Sequence, residues 1–133
     1  RNTYMELHRY DIVEAEITMT SPSGSVQKKK RPYVLVGNDK GTMTAPIVIA
    51  MPLTSVIKKR NLPTHGCIEA NDNNGLKRYS MVLGEQPYTL DKETEIVRKI
   101  GSITDQSQRD MVNKVCWNTL FFGEDINWKE LVG

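Results

Sequence analysis

Two polar residues stand at the ends of apolar strands, where a side chain can be directed at a ligand. Arg31 follows three lysines and precedes Pro32, and Thr54 closes the apolar run at 45–55. The planar fork of donors on arginine matches two phosphate oxygens, and proline restricts the residue before it to extended backbone. Arg31 and Thr54 are therefore candidates for chemistry on a phosphate. The alternative for Thr54 is a strand residue whose hydroxyl bonds to a neighbouring carbonyl.

Few other residues could supply a protein nucleophile or a metal site. The chain has two histidines, His8 and His65, and two cysteines, Cys67 and Cys116, outside any CxxC or Cys/His ligand spacing. The sequence contains no P-loop, GxGxxG, GxSxG or HExxH pattern. We therefore expect two free thiols in a reducing compartment, no metal and no cofactor.

The charge of the chain is nearly balanced, but its cations are clustered. Among 133 residues, 18 lysines and arginines stand against 16 acidic residues, for a net charge of +2. Three basic runs lie at 28–31, 58–60 and 77–78. A single run of this kind is typical of a solvated loop. If the fold brings the runs to one face, they form an electrostatic track for a polyanion.

Hydrophobic periodicity predicts a mainly β chain. Segments with strand-like composition lie between turn signals, at 11–17, 31–39, 45–55, 65–71, 78–86 and 95–104. Residues 18–30 are rich in serine, threonine, glycine and lysine, and they predict a long mobile loop. Since proline lacks an amide hydrogen, Pro32 suits the first position of the strand that follows. The segment at 45–55 is apolar on both faces and is predicted to be central.

A helical period is found near the C-terminal end. Residues on one predicted helix face are Met111, Val112, Val115, Cys116, Thr119 and Leu120. Asp105, with Gln108 three positions later, provides a start signal. The predicted class is α+β: a small, strongly bent antiparallel sheet or SH3-like barrel with a long C-terminal helix across it. We expect one domain at 1–133, with its core at about 9–122 and a tail at 123–133, and neither a membrane span nor a secretory signal.

Five segments, taken together and in order, resemble the MazF/PemK family of toxin endoribonucleases. They read HRYDIVEAEI, GSVQKKKRPYVLVGND, MPLTS, LPTH and VLGEQ, and the resemblance covers roughly residues 9 to 122. It implies a PemK/CcdB-like fold and a catalytic pair of Arg31 and Thr54. It places Ser25 and Gln27 on a loop that closes over RNA. The remaining residues that it places in the RNA-binding groove are Ser55, Thr64, His65, Glu85 and Gln86.

The resemblance also implies a reaction. Members of the family typically cut single-stranded RNA, chiefly mRNA, without a metal, and leave a 2′,3′-cyclic phosphate and a 5′-hydroxyl. Some relatives carry an acidic residue between the positions of Ser25 and Gln27, where this chain has Val26. Either an acid is supplied elsewhere, with Glu85 as one candidate, or the enzyme depends more on positioning and electrostatics. The alternatives for His65 and Glu85 are a histidine satisfied by backbone and a polar residue on an edge strand.

The partners implied by the resemblance are a second copy of the chain, forming a homodimer, and an antitoxin. The acidic segment of that antitoxin would occupy the basic groove, and both proteins would be cytoplasmic. Two other functions stay open: a CcdB-like toxin that binds a DNA topoisomerase, and an inactive barrel-fold binding protein. The CcdB group relies on a tryptophan almost at the C-terminus, whereas Trp117 and Trp128 lie further inside this chain. Val26 is the feature that favours an inactive protein.

Overall fold

The computed structural model describes residues 6–132, which form an antiparallel sheet with three helices. The strands are β1 (Asp11–Thr20), β2 (Val26–Leu35), β3 (Ile47–Thr54), β4 (His65–Ile68), β5 (Ser80–Leu83), β6 (Tyr88–Asp91) and β7 (Ile96–Ser102). The helices are α1 (Asp39–Thr44), α2 (Gln106–Phe121) and α3 (Trp128–Val132). None of the helices in this part of the chain is long and apolar enough to cross a membrane.

The strands follow the order β4–β5–β3–β2–β1–β7, and β6 pairs with the first half of β3. The predicted α+β class, with its antiparallel sheet and long C-terminal helix, is confirmed. Of the two forms expected for the sheet, the open one is present, because β4 and β7, at the ends of the strand order, do not pair with each other within residues 6–132. β3 is central, as predicted, although the side chains of Ile47 and Ile49 are about half exposed.

The prediction of a long loop at 18–30 is wrong. β1 and β2 form a hairpin whose pairing continues outward to Thr20 opposite Val26, so that only 21–25 forms the turn. The backbone amide of Ser21 donates to the carbonyl of Ser25 at 2.8 Å, and Gly24 takes a φ of +88°. The arm is exposed on both faces and has no apolar alternation, so its backbone pairing left no periodic signal in the sequence.

Two prolines lie inside strands and mark places where pairing changes. Pro32 is in the middle of β2, not at its first position as expected, and its neighbour Tyr33 is the first residue of β2 that pairs with β3. Pro52 lies opposite Tyr33, between the part of β3 that pairs with β6 and the part that pairs with β5. Because proline donates no ladder hydrogen bond, both positions suit it.

The sheet buries a hydrophobic cluster on each face. On one face, Tyr33 is fully buried with residues of β1, β3, β6 and β7. On the other face, Val112 and Val115 of α2 pack on β2, β3, β4 and β5. The helix lies very close to the sheet: a Cβ on Gly66 would be 2.1 Å from the sulfur of Met111. Glycine in β4 is therefore required by the packing of α2.

The predicted helix α2 is confirmed, including its N-cap. The carboxylate of Asp105 accepts a hydrogen bond from the Gln108 amide at 3.2 Å. The predicted helix face is correct for Val112 and Val115, which are buried. It is wrong for Leu120, which is 71% exposed in the last turn of the helix.

Three short elements were not predicted. The segment 31–39 stops being a strand at Leu35, and α1 begins after Asn38, whose side chain accepts from the Gly41 amide at 2.8 Å. β6 has four residues and no alternation long enough to identify it. α3 lies in the tail, where Trp128 stacks on Trp117 with ring centroids 5.0 Å apart.

Candidate functional site

Arg31 and Thr54 lie where β2 and β3 separate. The pairing of these strands reaches Tyr33 opposite Pro52, and the same register continued by two residues places Arg31 opposite Thr54. Since side chains alternate along a strand, both residues belong to the sheet face of Tyr33, away from α2. With Ser55, they line a groove of about 440 Å³. We call Arg31, Thr54 and Ser55 the β2–β3 fork.

The polar groups of the fork are available to a ligand. The guanidinium of Arg31 has no hydrogen bond or ion pair within residues 6–132, and its carbon lies 6.0 Å from the ring centroid of Tyr33. The hydroxyl oxygen of Thr54 accepts from the Val56 amide at 3.1 Å, instead of donating to a neighbouring carbonyl. Within residues 6–132, the hydroxyl hydrogen of Thr54 therefore remains free to donate.

Tyr33 forms the buried support of Arg31. Its ring meets the ring of Tyr88 edge to face, with centroids 5.6 Å apart. Its hydroxyl is buried without a hydrogen-bond partner among the described residues. Burial raises the pKa of Tyr33 above its usual value, since the phenolate would lose its hydration. The guanidinium of Arg31 thus lies near a buried aromatic ring.

Ser25 and Gln27 lie on the hairpin arm, apart from the fork. Both side chains are exposed. The hydroxyl of Ser25 is 3.2 Å from that of Ser23, and Gln27 pairs with Met19 across the hairpin. Val26 between them is 66% exposed. Neither Ser25 nor Gln27 lines the groove, so their predicted contact with RNA depends on the arm's reach over it.

A second polar group lies two strands from the fork. The Nε2 atom of His65 is 2.9 and 3.0 Å from the two carboxylate oxygens of Glu85, and Nδ1 is 2.9 Å from the carbonyl oxygen of Lys59. The hydroxyl of Thr64 donates to Glu85 at 3.4 Å. The side chain of His65 is only 5% exposed. We call Thr64, His65, Glu85 and the Lys59 carbonyl the His65 cluster.

The imidazole ring of His65 is held at both nitrogens, by the Glu85 carboxylate on one side and by the Lys59 carbonyl on the other. Burial raises the pKa of Glu85, but the hydrogen bonds from His65, from the backbone amide of Glu85 and from Thr64 together outweigh it and hold that pKa below its usual value. The polar groups of the cluster are thus held in one hydrogen-bonded network. Its polar groups are used by one another.

The predicted site residues therefore separate into groups. The fork holds Arg31, Thr54 and Ser55, and the His65 cluster holds Thr64, His65 and Glu85. Gln86 follows directly on the cluster with an exposed side chain, and its amide donates to the Leu83 carbonyl at 3.1 Å. Ser25 and Gln27 lie on the arm. The roles in RNA binding and cleavage remain predictions for all of them.

Two of the three basic runs meet at the groove. Lys29 and Lys30 line it from β2, and Lys77 and Arg78 line it from the loop before β5. The run at 58–60 does not line it. Arg98 of β7 lines it as well, a single cation that belongs to none of the runs. The sequence analysis did not select Arg98, because its place in the groove depends on the pairing of β7 with β1, which joins residues more than 80 positions apart.

Both cysteines are free thiols, as predicted. Among the described residues, no three histidine, cysteine, aspartate or glutamate side chains are placed to hold a metal ion.

The groups at the fork can bind an anion through a guanidinium and a hydroxyl, without a protein nucleophile.

Comparison with known proteins adds a family and a fold. The family model described as PemK-like, MazF-like toxin of type II toxin-antitoxin system matches residues 8–118. Endoribonuclease MazF of Staphylococcus saprophyticus is 32% identical over 109 residues, covering 82% of this chain and 88% of that protein. Endoribonuclease EndoA of Bacillus subtilis is 34% identical over 111 residues, covering 84% and 89%. A mycobacterial endoribonuclease solved in complex with its cognate antitoxin superposes with a TM-score of 0.64 at 18% identity, covering 91% and 99%.

Proposed function

Because the chain belongs to the family of PemK-like, MazF-like toxins of type II toxin–antitoxin systems, we propose that it is an endoribonuclease toxin. It cleaves single-stranded RNA, chiefly mRNA, at specific sequences and inhibits growth until an antitoxin binds it. Two relatives above 30% identity are named endoribonucleases, which supports the activity. The observation that carries the proposal is a cation-lined groove to which both Arg31 and Thr54 contribute, with the Arg31 guanidinium unpaired within residues 6–132 and the Thr54 oxygen already accepting from the Val56 amide.

The proposed reaction uses a nucleophile from the substrate. The ribose 2′-oxygen bonds to the adjacent phosphorus while the bond from phosphorus to the 5′-oxygen breaks, giving a 2′,3′-cyclic phosphate and a 5′-hydroxyl. The proton leaves the 2′-oxygen and another reaches the 5′-oxygen, both by exchange with water. The charge on the pentavalent phosphorus is stabilised by the fork of Arg31, and Thr54 donates to a phosphate oxygen. This arrangement needs no metal to balance the developing charge.

Glu85 is not a free acid or base in this proposal. Its pKa is held below the usual value, so it is a carboxylate at neutral pH, and both of its oxygens lie within 3.0 Å of His65. Val26, which is apolar and exposed, occupies the position on the arm where some relatives carry an acidic residue. Neither this position nor Glu85 therefore offers a free carboxylate. The reaction therefore depends mainly on alignment of the 2′-hydroxyl and on electrostatic stabilisation. Ser25, Gln27, Ser55 and Gln86 contact the RNA around the cut.

The proposed assembly is a homodimer that an antitoxin neutralises in the cytoplasm. A mycobacterial protein of this fold binds its cognate antitoxin, which supports a similar partner here. An acidic segment of the antitoxin would compete with RNA for the same cations. The match of the family model to 8–118 supports one domain over 1–133, with a core at about 9–122 and a tail at 123–133.

The two other functions are not favoured. A CcdB-like toxin would need a tryptophan free to engage a topoisomerase, but Trp128 stacks on Trp117. An inactive binding protein would not need a groove that holds a hydroxyl donor and an arginine without a partner among residues 6–132. The relatives above 30% identity are named endoribonucleases.

The proposal is tested by incubating the purified protein in EDTA with a long RNA of mixed sequence, beside an Arg31→Ala variant. Mapping of the new 5′ ends should give discrete cuts that bear 5′-hydroxyls, and the variant should lose them. Cutting by the variant at the wild-type rate would refute the role of Arg31. Cutting by the wild-type protein that stops in EDTA would refute the metal-independent reaction.

A further inference from the structure

The pairing of β1 with β7 is irregular beside the groove. In a short stretch of β1 the register shifts twice, so that it skips Val97 and Ile100 of β7. Arg98, between these two residues, lies directly opposite Glu14. Bulges of this kind re-aim side chains and are over-represented next to active sites. The pairing of Glu14 with Arg98 is therefore a candidate for a functional feature.

The irregularity turns Arg98 onto the α2 face of the sheet. Ile96 and Ile100 are separated by an even number of positions and would share one face of a regular strand. Instead, Ile96 packs in the cluster of Tyr33, whereas Ile100 packs against the cluster that contains α2. Arg98 lines the groove together with Ile100. The register shift at Val97 therefore brings the Arg98 side chain to the groove.

Glu14 contributes the one carboxylate among the groove residues that the structure describes. Its Oε1 atom is 3.4 Å from the Nε atom of Arg98, and the side chains of Glu14 and Arg98 are 25% and 56% exposed. Within residues 6–132, the Oε2 atom of Glu14 and the Nη atoms of Arg98 have no hydrogen bond or ion pair. The pair therefore presents a free acceptor next to free donors.

The carboxylate of Glu14 does not suit the phosphates of a substrate. It would repel them, and a groove that only held the backbone of a polyanion would bind more tightly without it. An ion pair as exposed as this one also adds little to stability. Glu14 shares the face of Ile12, which packs with α2, and not the face of Arg31 and Thr54. This placement favours contact with a base over contact with the attacking 2′-hydroxyl.

We propose that Glu14 is a specificity-determining residue, whose carboxylate accepts a hydrogen bond from the exocyclic amino group of one nucleobase next to the cut. This role rests on the proposed endoribonuclease function. In adenine, cytosine and guanine, the amino group stands beside a ring nitrogen that accepts, which matches a carboxylate beside a guanidinium. Uracil has no amino group, and its N3–H lies between two carbonyl oxygens that a carboxylate repels. The enzyme therefore rejects uracil at one position near the cut.

The test compares the base preference of two full-length variants. Glu14→Gln keeps the shape of the side chain and adds a donor that the oxygens of uracil can accept. Glu16→Gln is the matched control, since Glu16 lies on the same strand and face, is likewise half-buried and does not line the groove. Cuts are mapped on the long RNA of mixed sequence, and kcat/KM is then measured on RNAs that differ only at the selected base.

The wild-type protein and the control should prefer a base with an amino group over uracil by roughly 10-fold, about the worth of one hydrogen bond to a charged group. Glu14→Gln should lose most of this preference by cutting the uracil RNA faster than the wild-type protein does, a gain that misfolding cannot produce. An unchanged preference in Glu14→Gln would overturn the proposal. An equal fall in kcat/KM on every RNA would also overturn it, because a general base or a purely structural residue would act in this way.

Arg98 forms the other half of the pair. Arg98→Ala should weaken the preference in the same direction, and the double variant should lose no more preference than Glu14→Gln alone, because the two residues act as a unit. Losses that add in the double variant would contradict a joint role.

The same measurements separate this role from the proposed function. If the wild-type protein cuts RNA without rejecting uracil at any position near the cut, the role of Glu14 fails and the endoribonuclease function stands. If the wild-type protein cuts no RNA, the proposed function fails and the role of Glu14 fails with it.

Discussion

The β2–β3 fork and the His65 cluster contain similar polar groups, but the protein uses them in opposite ways. At the fork, the Arg31 guanidinium is unpaired within the described residues and Thr54 retains a free hydroxyl hydrogen. In the cluster, both nitrogens of His65 and both oxygens of Glu85 already have partners. Both groups lie on the same face of the sheet, on strands separated by β5.

The difference indicates where chemistry occurs and where structure is maintained. A group that stabilises a transition state must have unused donors, since a bond to the protein would have to be broken first. A group whose donors are all used instead fixes the backbone around it. The His65 cluster joins the loop at Lys59, which has a φ of +51°, to the end of β5. We therefore expect changes at the fork to alter cleavage and changes in the cluster to alter stability.

The largest effect is expected from Arg31. Arg31→Lys keeps the positive charge and removes the planar fork of donors, so cleavage should fall by about 10²- to 10³-fold. The free energy of unfolding should change little, because the Arg31 side chain forms no hydrogen bond or ion pair within residues 6–132. The rate is measured under single-turnover conditions on the RNA mapped above. A cleavage rate near that of the wild-type protein would show that charge alone is sufficient.

The next effect is expected at Thr54. Thr54→Val removes the hydroxyl that donates to the phosphate and should slow cleavage by roughly 10-fold, the worth of about one hydrogen bond to a charged group. Thr54→Ser is the matched control, since it keeps the hydroxyl and the bond from Val56, and it should retain most of the activity. Equal rates for the two variants would exclude a role for the hydroxyl.

In the His65 cluster, the main effect should be on stability. His65→Gln can satisfy only one of the two acceptors, so urea unfolding should show a loss of about 1 to 3 kcal/mol. At urea concentrations below its unfolding transition, the variant should cut RNA within about 3-fold of the wild-type rate, which is a change of under 1 kcal/mol in activation free energy. His8→Gln is the control, because the His8 side chain is 37% exposed and not 5%, and it should be far less destabilised.

Tyr33, whose buried ring lies near Arg31, provides a further test of stability at the fork. Its buried hydroxyl has no hydrogen-bond partner in the described part of the chain, so Tyr33→Phe should leave the free energy of unfolding unchanged or raise it by about 1 kcal/mol. The same urea titration measures this change. A clear loss of stability would mean that the hydroxyl has a partner in solution.

The smallest effect is the pH dependence that comes from Glu85. Its pKa is lowered in the folded protein, so its contribution to stability is present above its unfolded value and is lost as the pH falls through the folded value. Because 45% of the side chain is exposed, solvent screening keeps this contribution below about 1 kcal/mol. Glu85→Gln should flatten this part of the stability profile below pH 4.5. An unchanged acid limb would contradict the pairing with His65.

The sequence was most informative for elements whose buried side chains recur at a regular spacing. The apolar run of β3 and the spacing of Val112 and Val115 predicted a central strand and a helix that packs on the sheet. The exposed hairpin arm and the short elements α1 and β6 carry no such period, and they were missed or taken for a loop. These elements were missed because they are short or exposed on both faces, and not because their residues are chemically unusual.

The candidate site was predictable in its residues but not in its arrangement. Arg31 could be selected because Pro32 follows it, and Thr54 could be selected because it closes an apolar run. The pairing of Glu14 with Arg98 and the bond from His65 to the Lys59 carbonyl depend on tertiary contacts. No local pattern reports such contacts. The sequence therefore could not show which polar groups are already used.

The most direct test measures Arg31→Ala and His65→Gln side by side, each for single-turnover cleavage and for urea unfolding. We predict that Arg31→Ala loses about 10³-fold in cleavage with its stability retained, and that His65→Gln loses stability with cleavage largely retained. Cleavage lost equally in both variants, while both remain folded, would contradict the division between the fork and the His65 cluster.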